Sequence, residues 1–167
     1  PIGVIAAITP FNFPQNLVAH KVGPALAAGN TIVLKPATQT ALSAHFLAKL
    51  LAQTDLPAGA FNLVTGSGKL IGDTFLAHPQ VKMITFTGSP AVGISLRNRA
   101  GLKKVTLELG SNAGVIVDGG VPLENIMDRI VMGAFSNQGQ VCISLQRIYV
   151  MDNVLDSFLK QFTEKII

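Results

Sequence analysis

Val81-Lys82-Met83-Ile84-Thr85-Phe86-Thr87-Gly88-Ser89-Pro90-Ala91-Val92-Gly93 runs from a β-rich segment through a glycine turn into a helix. Val81–Thr85 has the apolar, β-branched make-up of a strand, and Gly88-Ser89-Pro90 opens a helix over Ala91–Ala100. A strand that feeds directly into a helix is half of a βαβ unit, and the flanking sequence repeats the pattern. Ile2–Ile8 reads as a strand ending at Thr9-Pro10. Gln15–Ala28 reads as a helix despite Pro24, closed by Gly29-Asn30. Thr31–Leu34 is a compact strand. Thr40–Thr54 is a helix with Leu42, Phe46, Leu50 and Leu51 near one face. Phe61–Val64 is a strand, Lys69–Ala77 a helix and Lys103–Leu107 a strand. The alternation predicts an α/β fold with a parallel sheet.

The texture shifts after Gly110, where Gly114–Val117 and Gln146–Val150 read as strands and Leu123–Phe135 and Val154–Ile167 as helices. A domain boundary is expected near Leu109–Asn112. About half the residues are apolar (49%) and only 13% are charged, which suits strands covered on both faces. The net charge of +4 is dispersed, with only Lys103 and Lys104 adjacent, so no nucleic-acid surface is expected. Cys142 is the only cysteine. It excludes an internal disulfide framework and a cysteine-rich zinc site, and the default setting is reducing and cytoplasmic. Pro1-Ile2-Gly3 lacks the basic region of a signal peptide, and no apolar run reaches the roughly 18 residues of a membrane span. The chain starts almost in a strand and stops within a helical pattern, so an internal fragment is expected.

Parallel α/β sheets bind ligands at the carboxyl ends of their strands. Gly66-Ser67-Gly68, with Gly72 beyond, is one residue longer than the usual dinucleotide fingerprint. Gly68-Lys69 hints at a phosphate loop, but Leu63 replaces its first glycine and Leu70 its magnesium-binding hydroxyl. Gly88 to Gly93 opens a helix whose N–H groups suit a pyrophosphate, although a tight turn needs glycine anyway. Lys35 ends a strand, where it is either solvated or a donor to ribose or phosphate. Cys142 is either inert packing, as most lone cysteines are, or a nucleophile, and the polar approach Asn137-Gln138-Gly139-Gln140 weakens the first reading. Glu108 closes an apolar strand, so its carboxylate is either paired or faces a cleft. Asn12, between aromatics and prolines, either braces a turn or donates to an oxyanion.

Taken in order, five motifs resemble the aldehyde dehydrogenase superfamily. They are Pro10-Phe11-Asn12-Phe13-Pro14, Lys35-Pro36-Ala37, Phe86-Thr87-Gly88-Ser89 through Gly93, Leu107-Glu108-Leu109-Gly110, and Gly139-Gln140-Val141-Cys142. The likeness spans essentially the whole chain, which would be the central part of a subunit about three times longer. It implies a variant doubly wound (Rossmann-like) cofactor domain over 1–108 and the beginning of a second α/β catalytic domain over 109–167. It also implies that Cys142 attacks the aldehyde, that Asn12 and the Cys142 N–H hold the oxyanion, and that Glu108 activates water against the thioester. NAD or NADP would lie along Thr9, Pro10, Phe11, Lys35, Thr38, Gly66, Gly68, Gly88, Ser89 and Gly93. The partners implied are a small aldehyde and, for the full-length protein, a homodimer or homotetramer; neither nucleic acid nor membrane is expected.

Thr38 stands where NAD-preferring members often carry a glutamate that grips the ribose, so NADP is expected to be tolerated or preferred. Ser111-Asn112-Ala113 replaces the commoner Gly-Lys pattern after Glu-Leu-Gly. The chain ends before the later glutamate that holds the nicotinamide ribose, so alone it is expected to show little or no dehydrogenase activity. The competing expectations are a dehydrogenase that passes its thioester to coenzyme A, which would not need Glu108, and a non-catalytic nucleotide-binding protein reusing the fold.

Overall fold

The computed structural model describes residues 1–166 and falls into two compact units, Pro1–Leu109 and Gly110–Ile167. The first unit holds five strands: β1 (Val4–Ile8), β2 (Thr31–Lys35), β3 (Phe61–Leu63), β4 (Val81–Thr87) and β5 (Lys104–Glu108). All pair in parallel, in the order β3-β2-β1-β4-β5. This is the parallel α/β sheet that the alternation predicts, in the doubly wound form that the family resemblance implies, and its order reverses between β1 and β4.

Side-chain alternation along the strands explains why both faces are covered. Ile5 and Ala7 of β1, with Ile32 and Leu34 of β2, pack against α1 (Asn16–Ala27) and α2 (Ala41–Leu51). Ala6 of β1 and Ile84 and Phe86 of β4 pack on the other face, against α3 (Gly68–Ala77) and α4 (Pro90–Arg99). Ile32, Leu34 and Ile84 are fully buried, each contributing about 1.5–3 kcal/mol of transfer free energy.

One expectation needs correction here, and one pair of alternatives is narrowed. Leu42, Phe46 and Leu50 are exposed on α2, and it is Ala44, Leu47 and Leu51 that reach the core. The stripe of larger apolar side chains did not mark the buried face, because the smaller Ala44 meets the sheet. Of the two alternatives for Glu108, pairing is not seen: it is exposed and forms no salt bridge among the described residues, on the edge strand β5, where every second residue is turned outward.

α1 runs through Pro24 and ends on Gly29, whose φ of 70° only glycine adopts freely. The Gly29 N–H donates to Leu26 O (2.9 Å) and the Asn30 N–H to Ala25 O (2.9 Å), closing the helix as a Schellman motif. The buried Asn30 side chain then accepts from the N–H groups of Ile2 and Gly3 and donates to Ala25 O, tying the entry of β1 to the end of α1.

The second unit pairs β6 (Ala113–Val117) with β7 (Leu145–Val150) in parallel, packed by α5 (Met127–Phe135) and α6 (Leu155–Ile166). The helix expected over Leu123–Phe135 is broken: Leu123–Asn125 is a 3₁₀ turn and the α-helix starts at Met127. The expected last residue of the final helix, Ile167, lies outside the described residues. Val117, Leu123, Met127, Ile130 and Phe158 form the core, and Phe162 stacks on Phe158 at 5.4 Å. Among the described residues no helix is long and apolar enough to cross a membrane, and no group of three or more His, Cys, Asp or Glu side chains could hold a metal ion.

Candidate active site

The first unit gathers most of the candidate residues along one edge, the carboxyl ends of its parallel strands. Register makes this unavoidable, since Ile8 of β1 lies beside Lys35 of β2 and Phe86 of β4, and Thr87 lies beside Glu108. Thr9, Pro10, Phe11 and Asn12 leave β1 at that edge. Thr9 is buried and its N–H donates to Lys35 O at 3.1 Å, while its Oγ1 has no hydrogen-bond partner among the described residues. A buried hydroxyl in that state invites a polar group from outside the chain. Phe11 is exposed beside it and Asn12 is half-buried.

Lys35 is 7% exposed, yet it forms no salt bridge or hydrogen bond among the described residues. Its amine lies 4.0 Å from where a Cβ on Gly68 would be, at the start of α3. Gly66, with a φ of 141°, makes the turn that brings the N-terminus of α3 there, and Ser67 caps it by accepting from Leu70 N. Thr38 is exposed in the 3₁₀ turn Thr38–Thr40, which follows Lys35. Here an unpaired cation and a helix N-terminus meet, a combination suited to an anionic ligand.

The glycines after β4 carry a different lesson. The Gly88 N–H donates to Glu108 O at 3.1 Å, so it is not available to a pyrophosphate. A Cβ on Gly88 would lie 2.5 Å from Cζ of the buried Phe86 ring, which is why the position is glycine. Ser89 is exposed at the N-cap of α4, and Pro90 at the first turn has no N–H. Gly93 is buried within α4, where a Cβ would lie 2.4 Å from a methyl of Leu109. Its smallness serves packing of the helix against the end of β5.

One residue here was not singled out from sequence. Lys21 of α1 is half-buried, and its Nζ donates to Oγ1 of Thr85, a buried residue of β4, at 2.9 Å. Burial lowers its pKa to about 8, against the opposing pull of the Glu108 carboxylate. Lys21 is the only lysine or arginine in α1, and that was the signal.

Cys142 belongs to the second unit and is exposed. It sits on a turn set up by backbone of unusual conformation: Asn137 (φ 50°), Gln138 (φ 59°) and Gly139 (φ 74°) are successively left-handed. Each non-glycine residue in that region costs about 1–2 kcal/mol. The segment is held by Gln140 N to Asn137 O (3.1 Å) and by Ser144, whose buried side chain donates to Ala134 O (3.1 Å). Ser144 N also donates to Val141 O at 2.9 Å, so residues 141–144 form a β-turn with Cys142 and Ile143 at its centre. An exposed thiol on an ordered turn is placed for attack on a small electrophile.

The family model for the aldehyde dehydrogenase family matches residues 1–166. A 3-sulfolactaldehyde dehydrogenase of Priestia aryabhattai is 52% identical over 170 residues, covering 100% of this chain and 36% of the relative. An Escherichia coli succinate-semialdehyde dehydrogenase [NADP(+)] is 45% identical over 168 residues, covering 99% and 35%. The crystal structure of an E. coli NADP dependent enzyme superposes with a TM-score of 0.96 at 45% identity, covering 99% of this chain and 35% of that one. The chain thus spans about a third of the length of the curated relatives it matches.

Proposed function

This chain belongs to the aldehyde dehydrogenase family, and on that premise we propose that the protein carrying it oxidises an aldehyde to a carboxylic acid with NAD or NADP as hydride acceptor. The observation that carries the reading is the family match across residues 1–166, with the nucleophile candidate Cys142 exposed on its turn. The Cys142 thiolate adds to the carbonyl carbon, forming a C–S bond and a tetrahedral oxyanion. The Asn12 amide and the Cys142 N–H hold that oxyanion, each such donor being worth about 2.7–4 kcal/mol at comparable sites. Collapse of the oxyanion expels hydride and leaves a thioester on Cys142. Glu108 takes a proton from water, the resulting hydroxide attacks the thioester, and the acid leaves with the thiolate regenerated.

The nicotinamide dinucleotide supplies the hydride acceptor when bound. Its phosphates and ribose fit the unpaired Lys35 amine beside Gly68 and the orphaned Thr9 hydroxyl. Thr38 offers a 2′-phosphate a neutral neighbour where a carboxylate would repel it, which favours acceptance of NADP. The two relatives described above are named for small aldehydes that carry one acidic group beside the carbonyl, and a small anionic aldehyde is the substrate class proposed here.

Rapid mixing of the full-length protein with aldehyde and cofactor tests the scheme. Cys142→Ala is expected to abolish the first-turnover burst of reduced cofactor. Glu108→Gln should keep the burst and lose about 10²–10⁴-fold in steady turnover. A Cys142→Ala protein that turns over normally sinks the reading, and acid release that requires coenzyme A replaces hydrolysis with acyl transfer. For the cofactor, kcat/KM for NADP should equal or exceed that for NAD, and Thr38→Glu should reverse the order; a strong NAD preference in the parent rejects the Thr38 assignment.

A further inference from the structure

Ser111 stands just after the edge strand of the first unit, in the place where the resembling family more commonly carries glycine. It belongs to the same unit as Cys142. Its hydroxyl donates to the Cys142 carbonyl oxygen at 2.6 Å, across 31 residues of sequence. That is a short O–H···O bond by ordinary protein standards. It is also the one hydrogen bond that this carbonyl makes among the described residues.

The carbonyl involved is not an arbitrary one. In the turn over residues 141–144 the Cys142 C=O belongs to the central peptide, between the second and third residues. Rotation of that peptide is what interconverts the common turn types, and it leaves the closing Ser144 N to Val141 O bond in place. The turn alone therefore does not fix it. Ile143 opposes the flip because a β-branched residue resists the positive φ that the alternative turn demands. Ile143 is 79% exposed, however, so packing does not hold it. Ser111 ties the nucleophile's own peptide to the start of β6, the paired strand of this unit.

We propose that Ser111 is a positioning residue for the Cys142 thiol: its hydroxyl fixes the central peptide of the Cys142 turn and so the direction in which the sulfur approaches the carbonyl. This rests on the reading of Cys142 as the nucleophile. Ser111 touches neither substrate nor cofactor in this role, so it acts on the rate of thiol attack and not on binding.

The test uses the full-length protein and its Ser111→Ala and Ser111→Thr variants. Ser111 is exposed, so neither change disturbs a core. The readouts are the first-turnover burst rate of reduced cofactor and the separate kcat and KM for aldehyde. Loss of one hydrogen bond predicts a burst slowed about threefold to tenfold in Ser111→Ala, with KM and cofactor affinity within about twofold. Ser111→Thr retains a hydroxyl and is expected to restore the rate to within about twofold. An unchanged burst in Ser111→Ala overturns the proposal, and so does a Ser111→Thr protein as slow as Ser111→Ala. A parent protein with no burst at all overturns the cysteine reading instead, and the proposal falls with it.

Discussion

Lys21 gives the first unit a titration that separates it from an ordinary surface lysine. Its pKa is lowered from 10.5 to about 8, chiefly by burial. Below about pH 8 the ammonium is present in folded and unfolded chains alike. Between about pH 8 and 10.5 the unfolded chain holds a proton that the folded chain has lost, so stability rises with pH across that window. The unfolding free energy of the parent minus that of Lys21→Met is therefore expected to grow from about pH 8 to 10.5, as followed by urea denaturation; a flat difference refutes the assignment. Lys21 was not singled out from the sequence, because its contact with Thr85 joins residues 64 apart and only the fold reveals it. For Cys142, Glu108 and Asn12 the residue types and motif order carried the expectation. The exposure of Glu108 did not follow, because nothing in Lys103–Leu107 tells an edge strand from a central one.

At the scale of elements, strand and helix order was readable throughout, because apolar runs and glycine turns alternate with little ambiguity. Most boundaries moved by a residue or two, and the end of α2 by three, from Thr54 to Leu51. The misreadings arose where size outweighed hydrophobicity, as on α2, and where a helix was split at Ile126. The β4–α4 junction shows a packing constraint that spacing alone does not reveal. Gly88 must be glycine because the Phe86 ring occupies the space of a Cβ. Phe86 is buried and cannot swing away, so Gly88→Ala should cost about 1–3 kcal/mol of unfolding free energy by overpacking. Equilibrium denaturation of the full-length variant checks this; parent-like stability would show that the ring relaxes freely. Gly93 faces the far end of a leucine, a more yielding neighbour, and Gly93→Ala is expected to be milder in the same measurement.

On the scale of the molecule, the parallel sheet and the location of the ligand edge follow from sequence once the βαβ repeats are recognised, whereas the strand order comes from the structure. Register then decides which residues share that edge. What sequence leaves unspecified is the hydrogen-bonding around it: the occupied Gly88 N–H, the unpaired Lys35 amine and the Ser111 clamp all depend on contacts distant along the chain. The curated relatives are nearly three times longer than the stretch matched here. Residues 1–167 produced alone are expected to give no steady formation of reduced cofactor with aldehyde, read by absorbance; sustained turnover would show that the catalytic apparatus is complete within them.

The pairing of β6 with β7 alone has a consequence for biosynthesis. Each strand offers one hydrogen-bonding side to another strand and leaves the opposite row of amides and carbonyls unmatched within its unit. Two-stranded assemblies are marginal in water, and open rows of that kind recruit whatever extended chain comes near. While those rows are open during synthesis, the nascent chain is exposed to misassociation around Ala113–Val117 and Leu145–Val150.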